Sequence, residues 1–179
     1  MKKLVVVMLL LTVLVIIAWS QSVNGNLGET LNLRGPVDGL TGNREVRSLG
    51  ISGLIVGGQL NYTIDTPSDE HLHPIEDAFS YVLWQSEGTR FSDTTARAAG
   101  LYLSIGSGAS IARATPDFGI LVYYFYVDRD VTISRGHVQG VNAFNLPLKK
   151  GWNAILRIDF TTYSLGDRED LSWSISQDM

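Results

Sequence analysis

The chain has no cysteine. That excludes disulfides, thiolate metal sites, a cysteine nucleophile and the acylated cysteine of a lipoprotein anchor. Cations are few and scattered: 14 Lys and Arg stand against 18 Asp and Glu, a formal net charge of −4 at pH 7. Without a basic stripe, neither nucleic acid nor an anionic membrane surface is expected as a partner. No internal repeat is visible and no long amphipathic helix is written into the pattern. The nucleophile elbow Gly-x-Ser-x-Gly is also missing. Gly106-Ser107-Gly108-Ala109-Ser110 departs from it with no helix to follow, so it supports neither a serine hydrolase nor a phosphate cradle and reads as a hairpin loop.

Long apolar runs are lacking too, with one exception. Lys2 and Lys3 precede Leu4–Ala18, which is apolar apart from Thr12, and Ala18-Trp19-Ser20 places small residues where an export signal is cut. Residues 1–20 therefore read as a signal peptide cleaved before Gln21. The rival reading is an uncleaved N-terminal anchor over residues 4–19, slightly short for a bilayer core that wants about 20 residues. Either way the remainder is expected outside the cytoplasm, periplasmic or secreted, touching a membrane only through that segment. Cleavage would leave 12 basic and 18 acidic residues, a net of −6, in a single domain that needs no covalent staples.

Residues 21–45 are rich in Asn, Gly, Ser and Thr, with Gly35-Pro36 and Gly39 as interruptions. They read as a flexible linker, and the packed domain as residues 46–179. Within it the dominant period is two. Leu60, Tyr62 and Ile64 alternate with polar neighbours; Phe79, Tyr81 and Leu83 share a parity, as do Leu101, Leu103 and Ile105. Trp152, Ala154, Leu156, Ile158 and Phe160 form another set, and Leu171, Trp173 and Ile175 alternate with serines. Each such run puts one face in a core and one in water. Val122–Val127 is apolar on both parities, as a central strand covered on both sides would be. The best helical candidate is the short stretch Asp93–Ala99. Strands without crossover helices predict an all-β fold, a single antiparallel β-sandwich of immunoglobulin-like or transthyretin-like kind.

Three motifs carry a resemblance: Gly58-Gln-Leu-Asn-Tyr-Thr-Ile64 followed by Pro67-Ser-Asp-Glu-His-Leu-His-Pro-Ile75, then Tyr124-Phe-Tyr-Val-Asp-Arg-Asp-Val-Thr-Ile133, then Phe144-Asn-Leu-Pro-Leu-Lys-Lys-Gly-Trp-Asn153. Over about residues 50–160 the chain resembles a family of small exported bacterial proteins, many of them lipoproteins, with no assigned activity. The resemblance implies a secreted β-sandwich. The chain departs from it in lacking the lipoprotein cysteine and in carrying His71 where relatives tend to have an aromatic residue.

Asp69-Glu-His-Leu-His-Pro-Ile-Glu-Asp77 is the densest set of ligand-type side chains. On an extended segment His71 and His73 would point the same way, and with Glu76 they could hold a divalent metal. The plainer reading, a polar loop anchored by Leu72 and Ile75, is favoured because no third ligand and no general base are marked out. Asp128-Arg129-Asp130 reads as a turn rather than a calcium loop, which would offer more oxygens. Its carboxylates are also too close in sequence to flank a glycosidic bond. Trp152 and Trp173 belong to core parities, whereas Trp84 and Tyr102 fall on the opposite parity and are the rings expected to face a ligand.

The functional expectation is an exported, non-enzymatic β-sandwich of the cell envelope with a structural or recognition role, binding an envelope glycan or another envelope protein and requiring no cofactor. The alternative is a metal-dependent hydrolase built on His71, His73 and Glu76. A third reading has residues 21–47 lending a strand to a neighbouring subunit.

Overall fold

A computed structural model of the chain describes residues 25–83, 88–106, 109–138 and 140–176. Residues 1–20, expected from the sequence to be a signal segment, and Trp84 lie outside them. Every pairing between the named strands is antiparallel, an isolated parallel bridge joins Val37 to Trp173, and the fold is all-β as the alternation predicts.

The main sheet runs in the order β1 (Asn26–Gly28), β14 (Gly151–Ile158), β11 (Ile120–Val127), β10 (Ala109–Ala114), β9 (Leu103–Ile105), β3 (Arg44–Ser48), β4 (Ile51–Val56), β5 (Gln59–Ile64) and β2 (Leu31–Pro36). Two further strands, β15 (Thr162–Leu165) and β16 (Trp173–Ser176), pair with β14 and β10. β8 (Arg97–Gly100) pairs with β11 and with the short β6 (His73–Pro74). The two ends of this sheet face each other. Leu31 and Leu33 of β2 and Leu60, Tyr62 and Ile64 of β5 share one core with Tyr124, Tyr126, Trp152 and Trp173. The indole N–H of Trp173 donates to the carbonyl of Arg34 at 3.2 Å, which ties the facing layers together.

A second core lies on the other side of the central strands. Phe125, Val127 and Ile155 pack there against a three-stranded sheet of β7 (Thr89–Phe91), β12 (Val131–Arg135) and β13 (Phe144–Leu148), and against helix α1 (Ile75–Leu83). β11 is thus covered on both faces: Val122, Tyr124 and Tyr126 point into the first core, Phe125 and Val127 into the second. The unbroken apolar run follows from that double burial. Trp152 and Trp173 are fully buried, as their parities predict.

Three sequence expectations require correction. Residues 26–28, 31–36 and 44–48 are strands of the main sheet rather than a flexible linker, and Leu31, Leu33, Val37 and Val46 are core. Their alternation is short, and Gly35-Pro36 disguises it, but Pro36 sits at the end of an edge strand, where a missing N–H costs no ladder bond. Within this chain the segment completes its own sheet. Secondly, the set containing Phe79 belongs to a helix. Ile75, Ala78 and Phe79 are buried at helical spacing while Glu76 and Asp77 face water in the first turn, where the helix dipole favours them. Thirdly, Asp93–Ala99 is not helical: the Asp93 carboxylate accepts from the N–H and hydroxyl of Thr95, and the chain then enters β8. The buried Ala96, Ala98 and Ala99 are small because the layers approach closely, which overrides their helix propensity.

The family-like motifs do structural work here. Asp128 accepts the Arg97 N–H at 3.0 Å, and Asp130 accepts the Lys150 N–H at 2.9 Å and a bond from Lys149 Nζ at 2.7 Å. Those last two contacts hold the Asp130 carboxyl below its ordinary pKa. Asn153, fully buried, donates to the carbonyls of Lys149 and Gly151 and accepts the Lys149 N–H, which locks the turn before β14. Gly151 has φ +100°, and a Cβ there would come within 2.5 Å of the Gly28 carbonyl oxygen. Only glycine fits.

Candidate functional site

The site arises where the sheet forks. Along one edge β11 pairs with β14 over its whole length, from Ile120 opposite Ile158 to Val127 opposite Gly151. Its other edge is shared. Phe125–Val127 pair with β8, and the Leu101 N–H donates to the Tyr124 carbonyl; Leu121 and Val122 pair instead with Ala114 and Arg113 of β10. After Leu101 the chain leaves β11 and crosses to β10 as β9. Between the diverging strands, beside Tyr123 and Tyr124, a cavity of about 700 Å³ opens. That falls within the range of about 300–1,000 Å³ usual for small-molecule sites.

The cavity is lined by the aliphatic side chains of Leu101, Leu103, Ile111 and Leu121. Aromatic and cationic side chains join them: Phe118, Tyr123, Phe144, Phe160, Tyr163, Arg135 and Arg157. Arg157 lies opposite Leu121 on one side and Tyr163 on the other. Its guanidinium carbon sits 4.6 Å from the ring centre of Phe160 and 5.6 Å from that of Tyr123. These are cation–π distances, worth about 0.5–2 kcal/mol. Arg135 is buried at the end of β12, opposite Phe144.

Backbone strain collects at this cavity. Four non-glycine residues among those described have left-handed φ, and three of them, Phe118, Asp159 and Phe160, belong to two adjacent turns. The Asp159 N–H donates to the Gly119 carbonyl at 2.7 Å, which joins the turns. For bulky residues this conformation costs about 1–3 kcal/mol each, and such strain tends to gather at ligand sites. It also breaks the pleat. Phe160, expected in the core by parity, is instead 57 % exposed and lies over Arg157.

Burial pushes the Tyr123 hydroxyl up to about 12, with the Arg157 charge opposing it. Tyr163 is raised by burial and opposed by Arg157 and Arg135, and Tyr124 is raised by burial and by the Asp167 carboxylate. A phenol with a raised folded-state pKa stays neutral in the folded protein. Its stabilising contribution is complete below the unfolded value near 10 and is lost as pH rises through about 12. The domain is therefore expected to unfold in alkali between those values, Tyr123 alone costing up to about 1.4 kcal/mol per pH unit. Tyrosinate absorbance and circular dichroism, followed together, should show ionisation and loss of structure in one transition.

Of the expected ligand residues, Tyr102 is 54 % exposed and lines the cavity, whereas Trp84 lies outside the described residues. The expected metal ligands are not brought together. His71 belongs to a helical turn, Asp69–His71, and not to an extended segment, so the two-residue parity with His73 fails. His71 Nε2 is 3.7 Å from Glu70 and packs against Gly50; His73 is exposed beside β8, and Glu76 is exposed on α1. No group of three His, Asp or Glu side chains among the described residues could hold a metal ion. Sequence reading missed Arg157, Phe160, Phe118 and Tyr163. The available signal was an arginine on the outward parity of β14, opposite a strand with no polar face.

No protein-family model, curated protein or solved structure matches the chain.

Proposed function

We propose that this chain is an exported, non-enzymatic recognition domain of the cell envelope that holds a small, largely apolar molecule in the cavity beside Tyr123. The observation that carries the reading is the fork in the sheet, which leaves a cavity of about 700 Å³ lined by aliphatic and aromatic side chains. The Lys2-Lys3 and Leu4–Ala18 pattern supports export, as does the likeness of its motifs to those of exported bacterial proteins. Glycan recognition is a second reading, favoured by the exposed rings of Tyr102 and Phe160, on which a sugar could stack.

The test is calorimetric titration of the domain with decanol, an uncharged chain. Saturable binding of one equivalent is expected. It should be lost in Ala112→Phe, which fills the cavity from β10, while a thermal melt confirms that the variant is folded. If that variant fails to fold, Val141→Phe fills the same cavity from another lining position. Absence of binding to the wild-type domain would sink the apolar reading.

A further inference from the structure

We propose that the ligand of this cavity is an anionic amphiphile, a carboxylic acid with an apolar body, whose carboxylate is held by Arg157. The inference rests on the cavity being a binding site and adds the chemical class of its occupant.

The contrast between two arginines carries it. Arg113 is buried and its charge is matched by Asp167, 3.2 Å away, whose side chain is only 14 % exposed. Arg157 is half-buried in an apolar wall, and among the described residues no carboxylate lies within ion-pair distance of it. Its neighbours are the faces of Phe160 and Tyr123 and the Tyr123 hydroxyl, which orient the guanidinium without neutralising it. Its Nε–H, like that of Arg113, is buried and has no hydrogen-bond acceptor among the described residues, so the missing countercharge is what sets Arg157 apart. A buried donor on a cation is costly unless something accepts from it. A carboxylate suits that donor in shape, because a guanidinium offers two parallel N–H bonds to it.

The surroundings agree. Arg135 lines the same cavity, so two cations meet there in a chain whose net charge is −4. Tyr163 feels both guanidinium groups, and the Tyr123 hydroxyl lies beside Arg157. Neutral phenols can donate to the same carboxylate. The aliphatic lining of Leu101, Leu103 and Ile111 is left for the apolar body. A cationic ligand would meet repulsion at Arg157, and a purely apolar one would leave its Nε–H without an acceptor.

The experiment compares decanoate, decanol and decyltrimethylammonium on the full domain by calorimetry at neutral pH. Decanoate is expected to bind tightest and the ammonium compound weakest. In Arg157→Met the ratio of decanoate to decanol affinity should fall about ten- to hundredfold, the worth of hydrogen bonds to a charged group. Arg157→Lys, which keeps the charge but loses the fork, should restore part of that ratio. Equal affinity of the wild-type domain for decanoate and decanol, or an unchanged ratio in Arg157→Met, would overturn the assignment and leave the cavity standing as an apolar site. Failure of all three probes to bind would remove the binding site itself and the inference with it.

Discussion

Asp167→Ala is expected to destabilise the domain by about 3–5 kcal/mol, the usual cost of stranding one partner of a buried ion pair. Asp167 and Arg113 have side chains only 14 % and 7 % exposed. Arg113 Nη1 donates to both carboxylate oxygens at 3.2 Å, while Nη2 donates to the Arg34 carbonyl at 3.0 Å. Its guanidinium lies 5.1 Å from the ring centre of Trp173. The carboxylate also accepts from the Tyr124 hydroxyl at 3.1 Å and the Arg168 N–H at 2.7 Å. The group thus joins β10, β11, the facing edge strand β2 and the segment that leads into β16. Removing the carboxylate leaves a guanidinium in the core with no countercharge. The double variant Arg113→Met with Asp167→Leu should recover most of the loss, because an apolar pair of similar volume suffers no desolvation of charge. Urea denaturation of the three proteins checks both statements. A loss below 1 kcal/mol in Asp167→Ala would mean that water reaches the arginine and that the two layers are less tightly closed than described.

Phe125→Ala should cost a similar amount, about 3–5 kcal/mol. Phe125 is fully buried on the doubly covered strand, and its ring meets Phe79 of α1 edge-on, with centroids 5.8 Å apart and planes at 79°. Phe79 in turn meets Phe91 edge-on at 5.8 Å. Truncation would leave a void where the helix, the small sheet and the central strand converge, and neighbours held by three separate elements cannot all collapse into it. Tyr102→Ala is the control. That side chain is 54 % exposed, and its removal should change stability by no more than about 0.5 kcal/mol.

These residues also show what could be read from the sequence. Burial of Trp152, Trp173 and the β5 set follows from alternation, because a pleat sends successive side chains to opposite faces, and burial of Phe125 follows from a run that is apolar on both parities. The helix was hidden because residues four apart share a strand parity as well as a helix face. Strands β1 to β3 were hidden by glycines and by polar outward residues that resemble a loop. The site was hidden for a different reason. A parity count places Arg157 on the outward side of its strand, but only the pairing of β11 with β8, β10 and β14 shows that this side is a cavity wall. Likewise no local pattern announces that Asp159 and Phe160 turn left-handed and carry an aromatic ring back over the arginine. Tyr102 alone joins the two levels, for its outward parity was legible and the fork gives it a place at the cavity.

The central claim is that this fork is a binding site, and mapping decanoate binding by backbone amide shifts in the isotope-labelled domain tests it most directly. The account predicts saturable shifts concentrated at Phe118, Tyr123, Arg157, Phe160 and Tyr163, with little change on the distant outward face of β4. That face carries Leu54 and Val56, each 58 % exposed, and is the obvious place for non-specific adsorption of an apolar chain. Shifts centred on Leu54 and Val56, or spread evenly over the surface without saturation, would contradict it.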